Sequence, residues 1–261
     1  MVATLIVPPG VPADLERRNP RDTLGLPGKE EAGKLLDGLL EELSSLQERL
    51  YAEGRRSVLL VLQGLDASGK DGTIRRVFTG VNPQGCHVTS FKAPSPVELA
   101  HDFLWRIHAQ CPARRMIGIF NRSHYEDVVT VGVLGLAPEE VWRRRPERIV
   151  EFERLLADEG TTVLKCFLHV SQEEQRERFA ERLADPTKRW KHNLKDEETS
   201  RRFGVRGCLR GGSHRHLDGV GALVRDPGGP QLGAEPCSRD RARRGAATAR
   251  PPVPRARELS G

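Results

Sequence analysis

The chain has 261 residues and a formal net charge of +6, room for one ordinary α/β domain and little more. It contains no apolar run of about eighteen residues, so no membrane-spanning helix is expected, and Met1 to Gly10 lacks the cationic head of a signal peptide. The positive charge does not point to specific nucleic-acid binding: residues 204–261 hold eleven Arg against five acids, the whole excess, while residues 1–203 hold thirty-one of each sign. Cys86, Cys111, Cys166, Cys208 and Cys237 are odd in number and form no CxxC pair, which reads as reduced thiols in a cytoplasmic protein.

Residues 1–28, rich in Pro, Gly and charge, read as an extended arm. From Lys29 to Gly54 the leucines 35, 36, 39, 40, 43, 46 and 50 form a stripe of helical period, predicting an amphipathic helix that packs on the domain or on a second subunit. Leu59 to Gln63 is predicted as a strand buried on both faces, and Thr73 to Gly80 as the helix after it. Further strands are expected at Cys86–Phe91, Met116–Phe120 and Thr161–Val170, with helices at Pro96–Gln110, Pro138–Glu159 and Gln172–Leu183. This alternation implies a parallel sheet covered on both faces.

Between the first strand and its helix runs Gly64-Leu65-Asp66-Ala67-Ser68-Gly69-Lys70-Asp71-Gly72-Thr73. Glycines here let backbone N–H groups approach an oxyanion, the helix N-terminus adds partial positive charge, and Lys70 adds a full one. Gly64, Gly69 and Lys70 have the GxxxxGK spacing of a P-loop, but Asp71 stands where Ser or Thr would bind the metal. Residues 64 and 67–73 therefore form a candidate phosphate cradle, and Asp66 becomes the candidate Mg²⁺ ligand. The structural alternatives are a βα turn with a surface lysine, and an Asp66 that caps or braces the loop.

A second group follows the third strand, Asn121-Arg122-Ser123-His124-Tyr125-Glu126-Asp127, where open α/β sheets place their sites. Arg122 suits a bidentate phosphate contact, while Asn121 and Glu126 are candidate metal ligands. The competing reading is a helix start with Ser123 as N-cap and Glu126 closing a capping box. A third group, Arg176, Arg178, Arg182, Lys188, Arg189, Trp190 and Lys191, is either a phosphate-facing cluster or a solvated helix face paired with nearby glutamates. His101, His108 and His124 lack zinc spacing and read as ordinary polar residues.

Together with Asn82-Pro83-Gln84-Gly85, Ser90-Phe91-Lys92 and Asp102-Phe103-Leu104-Trp105-Arg106, these motifs resemble the polyphosphate kinase 2 family from about residue 25 to Phe203. The resemblance implies a three-layer P-loop kinase-like α/β domain over 29–203, with a mostly parallel sheet, helices on both faces and a helical lid. It also implies transfer of the terminal phosphoryl of inorganic polyphosphate to AMP or ADP (or the reverse, consuming ATP), with Mg²⁺ or Mn²⁺, in a homo-oligomer. In that reading Asp66, Lys70, Arg122 and Arg178 are catalytic, Arg182, Lys188 and Arg189 bind phosphate from the lid, and Asn121 stands where relatives often carry Asp. Two rival readings are an ATP-using P-loop nucleotide kinase and a catalytically dead polyanion-binding protein.

After Phe203 the chain changes character: residues 204–261 contain no Phe, Trp, Tyr, Ile, Met or Lys and are crowded with Gly, Arg and Pro, the composition of a disordered tail. Gly204 to Gly211 can be encoded so that a one-base offset reads Glu-Tyr-Val-Ala-Ala-Tyr-Glu. The same offset over Gly212 to Pro230 allows a Thr-Glu-Trp-Ala-Pro-Trp run that resembles the family's C-terminal segment. The tail is therefore expected to be a frameshifted product that leaves the domain without its last strand and helix.

Overall fold

The Val/Leu run after Arg56 forms the central strand, β1 (Ser57–Gly64), flanked on both sides by parallel partners. A computed structural model of the chain describes residues 5–8, 11, 13–23, 28–187, 189 and 224–225. All lie in one unit, Met1–Gly229, and none in the second, Pro230–Gly261. The sheet order is β2 (Cys86–Ser90), β3 (Ile117–Asn121), β1, β4 (Thr161–Leu168), β5 (Val224–Arg225). Four strands are parallel, and Leu62 of β1 registers with Asn121 of β3 and Cys166 of β4. The two residues of β5 pair antiparallel with Leu164 and Lys165, so a short strand occurs within a tail expected to have none. The rest of the 204–261 tail lies outside the described residues, as do Lys188, Trp190 and Lys191.

Alternation along β1 builds two cores. Leu59, Val61 and Val163 face one layer, packing with Phe120, Tyr125, Trp142, Ile149 and Phe152. Leu62, Ile117 and Ile119 face the other, with Leu50, Ile74, Phe78, Cys86 and Cys166. Each large apolar side chain so buried contributes roughly 1.5–3 kcal/mol. The first layer is built from α5 (Glu126–Leu134), α6 (Glu139–Trp142) and α7 (Arg145–Asp158). The second is built from α1 (Lys29–Glu53) and α2 (Lys70–Val77). Leu35, Leu39 and Leu46 of α1 remain about half exposed. The amino-terminal arm is not merely extended: Val7, Ala13 and Leu15 are buried against Phe167, and residues 15–17 make a 3₁₀ turn.

Two expected helices are each interrupted. The stretch 96–110 forms only two short turns, α3 (Pro96–Leu99) and α4 (Trp105–His108). Between them the Asp102 carboxylate accepts from the Leu104 N–H at 2.9 Å, a local alternative to the helical ladder. The stretch 138–159 divides into α6 and α7 because Pro146, near the start of α7, has no N–H with which to continue the helix. The last described helix is α8 (Gln172–Ala184), capped by Ser171.

Candidate active site

The β1–α2 connection closes into a tight cradle. A Cβ on Gly64 would lie 2.6 Å from Ser68 Oγ and 2.8 Å from the Leu168 carbonyl oxygen, so only glycine fits. Gly69 has φ +99°, and Ala67 occupies the left-handed region at φ +61°, a conformation that costs a non-glycine residue about 1 kcal/mol or more. The helix begins directly at Lys70, earlier than the expected Thr73, which aims its first N–H groups into the loop.

Lys70 is buried and curls back over the cradle. Its Nζ donates to the carbonyl oxygens of Gly64 at 2.7 Å and Leu65 at 3.1 Å, and to Ser68 Oγ at 3.4 Å. Burial, reinforced by the Arg122 guanidinium, lowers its pKa from 10.5 to about 8, while Asp66, Glu126 and Asp71 act in the opposite direction. One arginine and three carboxylates thus act electrostatically on a single ammonium group whose bonded partners are neutral oxygens.

The 121–127 segment meets the cradle across the sheet. Asn121 Nδ2 donates to Asp71 Oδ1 at 2.7 Å, and Arg122 pairs with Asp66. Arg122 is itself left-handed, at φ +64°. The Ser123–Glu126 capping box of the competing reading does not form. Ser123 is fully buried, and its Oγ accepts from Gln63 Nε2 at 3.0 Å and from the Tyr125 N–H at 3.2 Å. Glu126 instead accepts from the Thr130 hydroxyl, so its carboxylate does not return to the backbone. Asp127 is held away from the cradle by Arg106 at 3.5 Å and Arg145 at 3.6 Å, with burial raising its pKa.

Helix α8 docks on the loop's backbone. Arg178 Nη1 donates to the Ala67 carbonyl at 3.0 Å, and Gln175 Nε2 donates to the Asp66 carbonyl at 2.7 Å. Of the basic group, only Arg178 makes a described contact with the cradle. Arg182 lies over the Phe179 ring and Arg189 donates to the Leu183 carbonyl, while Lys188 is outside the described residues. Gln63 and Gln175 were missed from sequence, although Gln175 lies three residues before Arg178 on one helix face, a spacing that marks it as a companion. His101 stacks on Trp105 and His108 meets the edge of Phe152, consistent with ordinary structural roles.

The chain is similar to known proteins. The family described as Polyphosphate kinase 2 matches residues 28–205. The AMP/ADP-polyphosphate phosphotransferase of Meiothermus ruber is 55% identical over 189 residues, covering 72% of this chain and 71% of that protein. The ADP-polyphosphate phosphotransferase of Rhodopseudomonas palustris is 47% identical over 182 residues, 65% of this chain and 63% of that protein. The crystal structure of Polyphosphate Kinase 2 from Arthrobacter aurescens TC1 aligns with a TM-score of 0.76 at 35% identity, over 86% of this chain and 81% of the other. With the cradle, the 121–127 segment and the four parallel strands all falling inside the matched region, the chain belongs to the polyphosphate kinase 2 family.

Proposed function

We propose that the chain moves the terminal phosphoryl group of inorganic polyphosphate to AMP, ADP or both, reversibly, by direct in-line transfer. The observation that carries this reading is the meeting of Lys70, the Arg122–Asp66 pair and the Asn121–Asp71 contact at one cradle, inside a chain matched to the family over residues 28–205. Relatives named for phosphotransfer between polyphosphate and AMP or ADP support the substrate class. Phosphoryl transfer needs little covalent chemistry from the protein, so positioning and charge are its tools.

The loop N–H groups and Lys70 hold the phosphates. Lys70 rests on neutral carbonyl oxygens that an incoming phosphate can replace at small cost. Arg122, once it exchanges Asp66 for substrate, and Arg178 from α8 face the transferring group and offset its equatorial charge. Among the described residues no three His, Cys, Asp or Glu side chains converge as a closed metal cage. Mg²⁺ (or Mn²⁺) in such sites keeps waters and shares substrate oxygens with one or two carboxylates. Asp66 would hold the ion with Glu126 or with the amide oxygen of Asn121, whose nitrogen donates to Asp71. The ion would neutralise charge on the bridging phosphate oxygens.

We place the enzyme in the cytoplasm as a homo-oligomer, with the half-exposed leucines of α1 as the apolar face available to another copy. Among the described residues no helix is long and apolar enough to cross a membrane. The match to the family model ends at residue 205, two residues beyond the change in composition, which supports a frameshift near residue 204. A domain left incomplete by such a frameshift would favour the second reading, a polyanion-binding protein without turnover. One assay separates them: the purified chain is mixed with polyphosphate, Mg²⁺ and AMP or ADP, and nucleotide products are resolved by anion exchange. ADP or ATP formation is the expected result. Turnover with ATP as donor but not with polyphosphate would assign an ordinary nucleotide kinase. Salt-sensitive polyphosphate binding without product would assign the inactive binder. Re-sequencing across codons 203 and 204 tests the frameshift.

A further inference from the structure

Below the cradle, within the core covered by α7, four polar side chains form a closed cluster that the transfer reaction does not touch. Glu153 of α7, Lys165 of β4, His124 and Tyr125 are each at least 95% buried. Lys165 Nζ donates to Glu153 Oε2 at 2.7 Å and to Tyr125 Oη at 3.2 Å, and Tyr125 Oη donates to Glu153 Oε1 at 2.9 Å. His124 Nε2 lies 3.3 Å from the same Oε1. Burial alone would raise the Glu153 carboxyl, but the Lys165 charge and the His124 contact hold it at about 2.

Such a cluster is a poor choice for stability, because a buried ion pair replaced by well-packed apolar groups is often as stable or more so. Its location supplies another role. His124 and Tyr125 directly follow the two residues that reach across the cradle, Asn121 to Asp71 and Arg122 to Asp66. Arg122 is left-handed, and a strained non-glycine residue persists only where its surroundings over-determine it. Ser123 is already pinned by Gln63, and the Glu153–Lys165 pair pins the two residues after it.

We infer that the Glu153–Lys165 pair is a positioning device. It clamps His124 and Tyr125 from below, so that the backbone at 121–123 presents Arg122 and Asn121 to the cradle in one geometry. The kinetic arm of its test rests on the proposed phosphotransfer, but the structural arm does not.

The test compares the full chain with E153Q/K165M, which removes both charges at nearly constant volume, and with Y125F, which removes one hydroxyl. The double variant is expected to keep its melting temperature within a few degrees. Its kcat should fall about 10²-fold, with KM for polyphosphate changed less than about threefold, the pattern of a misplaced rather than a lost binding group. Amide hydrogen exchange at residues 122–125 should quicken about tenfold or more, as local anchoring is lost. Y125F should move exchange and kcat in the same direction by a smaller factor. Exchange at those amides within about twofold of the parent, in a folded variant, overturns the proposal. If the double variant does not fold, Y125F decides by the same measure. A parent without turnover removes the kinase reading alone, since exchange still tests the clamp.

Discussion

Two lysines of this chain are buried to nearly the same degree, Lys70 at 8% exposure and Lys165 at 5%, yet they live in opposite electrical settings. Lys165 has a carboxylate of its own: Glu153 lies 2.7 Å away and is bound on its other oxygen by Tyr125. Lys70 rests chiefly on neutral carbonyl oxygens, with carboxylates near enough to be felt but not bonded to its Nζ among the contacts described. A charge already neutralised inside a core specifies geometry. A charge held by neutral oxygens at a loop is available to a ligand.

Removing each lysine alone separates the two settings. Lys165→Met strands the Glu153 carboxylate in the core and should cost about 3–5 kcal/mol in denaturant unfolding, whereas E153Q/K165M should recover most of that loss. Equal stability in the single and double variants would mean that the pair is not coupled. Lys70→Met should instead act on chemistry, lowering kcat by about 10²–10³-fold with a smaller change in stability. Asp66→Asn should likewise abolish transfer with modest loss of stability, and retained activity would remove Asp66 from the metal site.

The two regions also separate along the pH axis. Lys70 has a folded pKa near 8 against 10.5 for a free lysine, so below pH 8 the folded state carries a buried charge it disfavours. Stability attributable to this group is therefore lowest below 8 and rises, by about 3 kcal/mol, as pH climbs toward 10.5. Glu153 has a folded pKa near 2 against 4.5, so its contribution is present above 4.5 and disappears as pH falls toward 2. Urea midpoints across both windows check this: Lys70→Met should flatten only the alkaline rise, and E153Q/K165M only the acid fall.

The smallest expected effect comes from an exposed pair of the same length. Arg148 and Glu151 are also 2.7 Å apart, but both are more than half exposed. Arg148→Ala should leave the urea midpoint within experimental scatter, because water and ions screen the pair and two flexible side chains must be held to form it. A clear drop would show that distance, rather than burial, sets the value of these ion pairs.

Much of the site was legible because its residues lie close together in sequence. The β1 run, the Gly64–Lys70 spacing and the Asn121–Asp127 segment each carry a local physical requirement, and all reach the carboxyl ends of β1 and β3 as expected. The expected lid contributes Arg178, read as one of several lid arginines, and the structure adds Gln175, whose partner is a backbone carbonyl 109 residues away. The capping box at Ser123 failed for a similar reason. Its local logic was sound, but the Gln63 amide from a neighbouring strand claims the hydroxyl. The helix over 138–159 was read through Pro146, where the missing N–H breaks it.

The four parallel strands, the glycine–lysine loop and the family were all readable along the chain, since short-range glycine, lysine and apolar patterns encode them directly. The status of each charge depends instead on long-range packing. Neither Glu153 nor Lys165 lies in a motif that the sequence singles out. Packing α7 on β4 removes both from water, and in a low-dielectric interior each can remain charged only because the other is there.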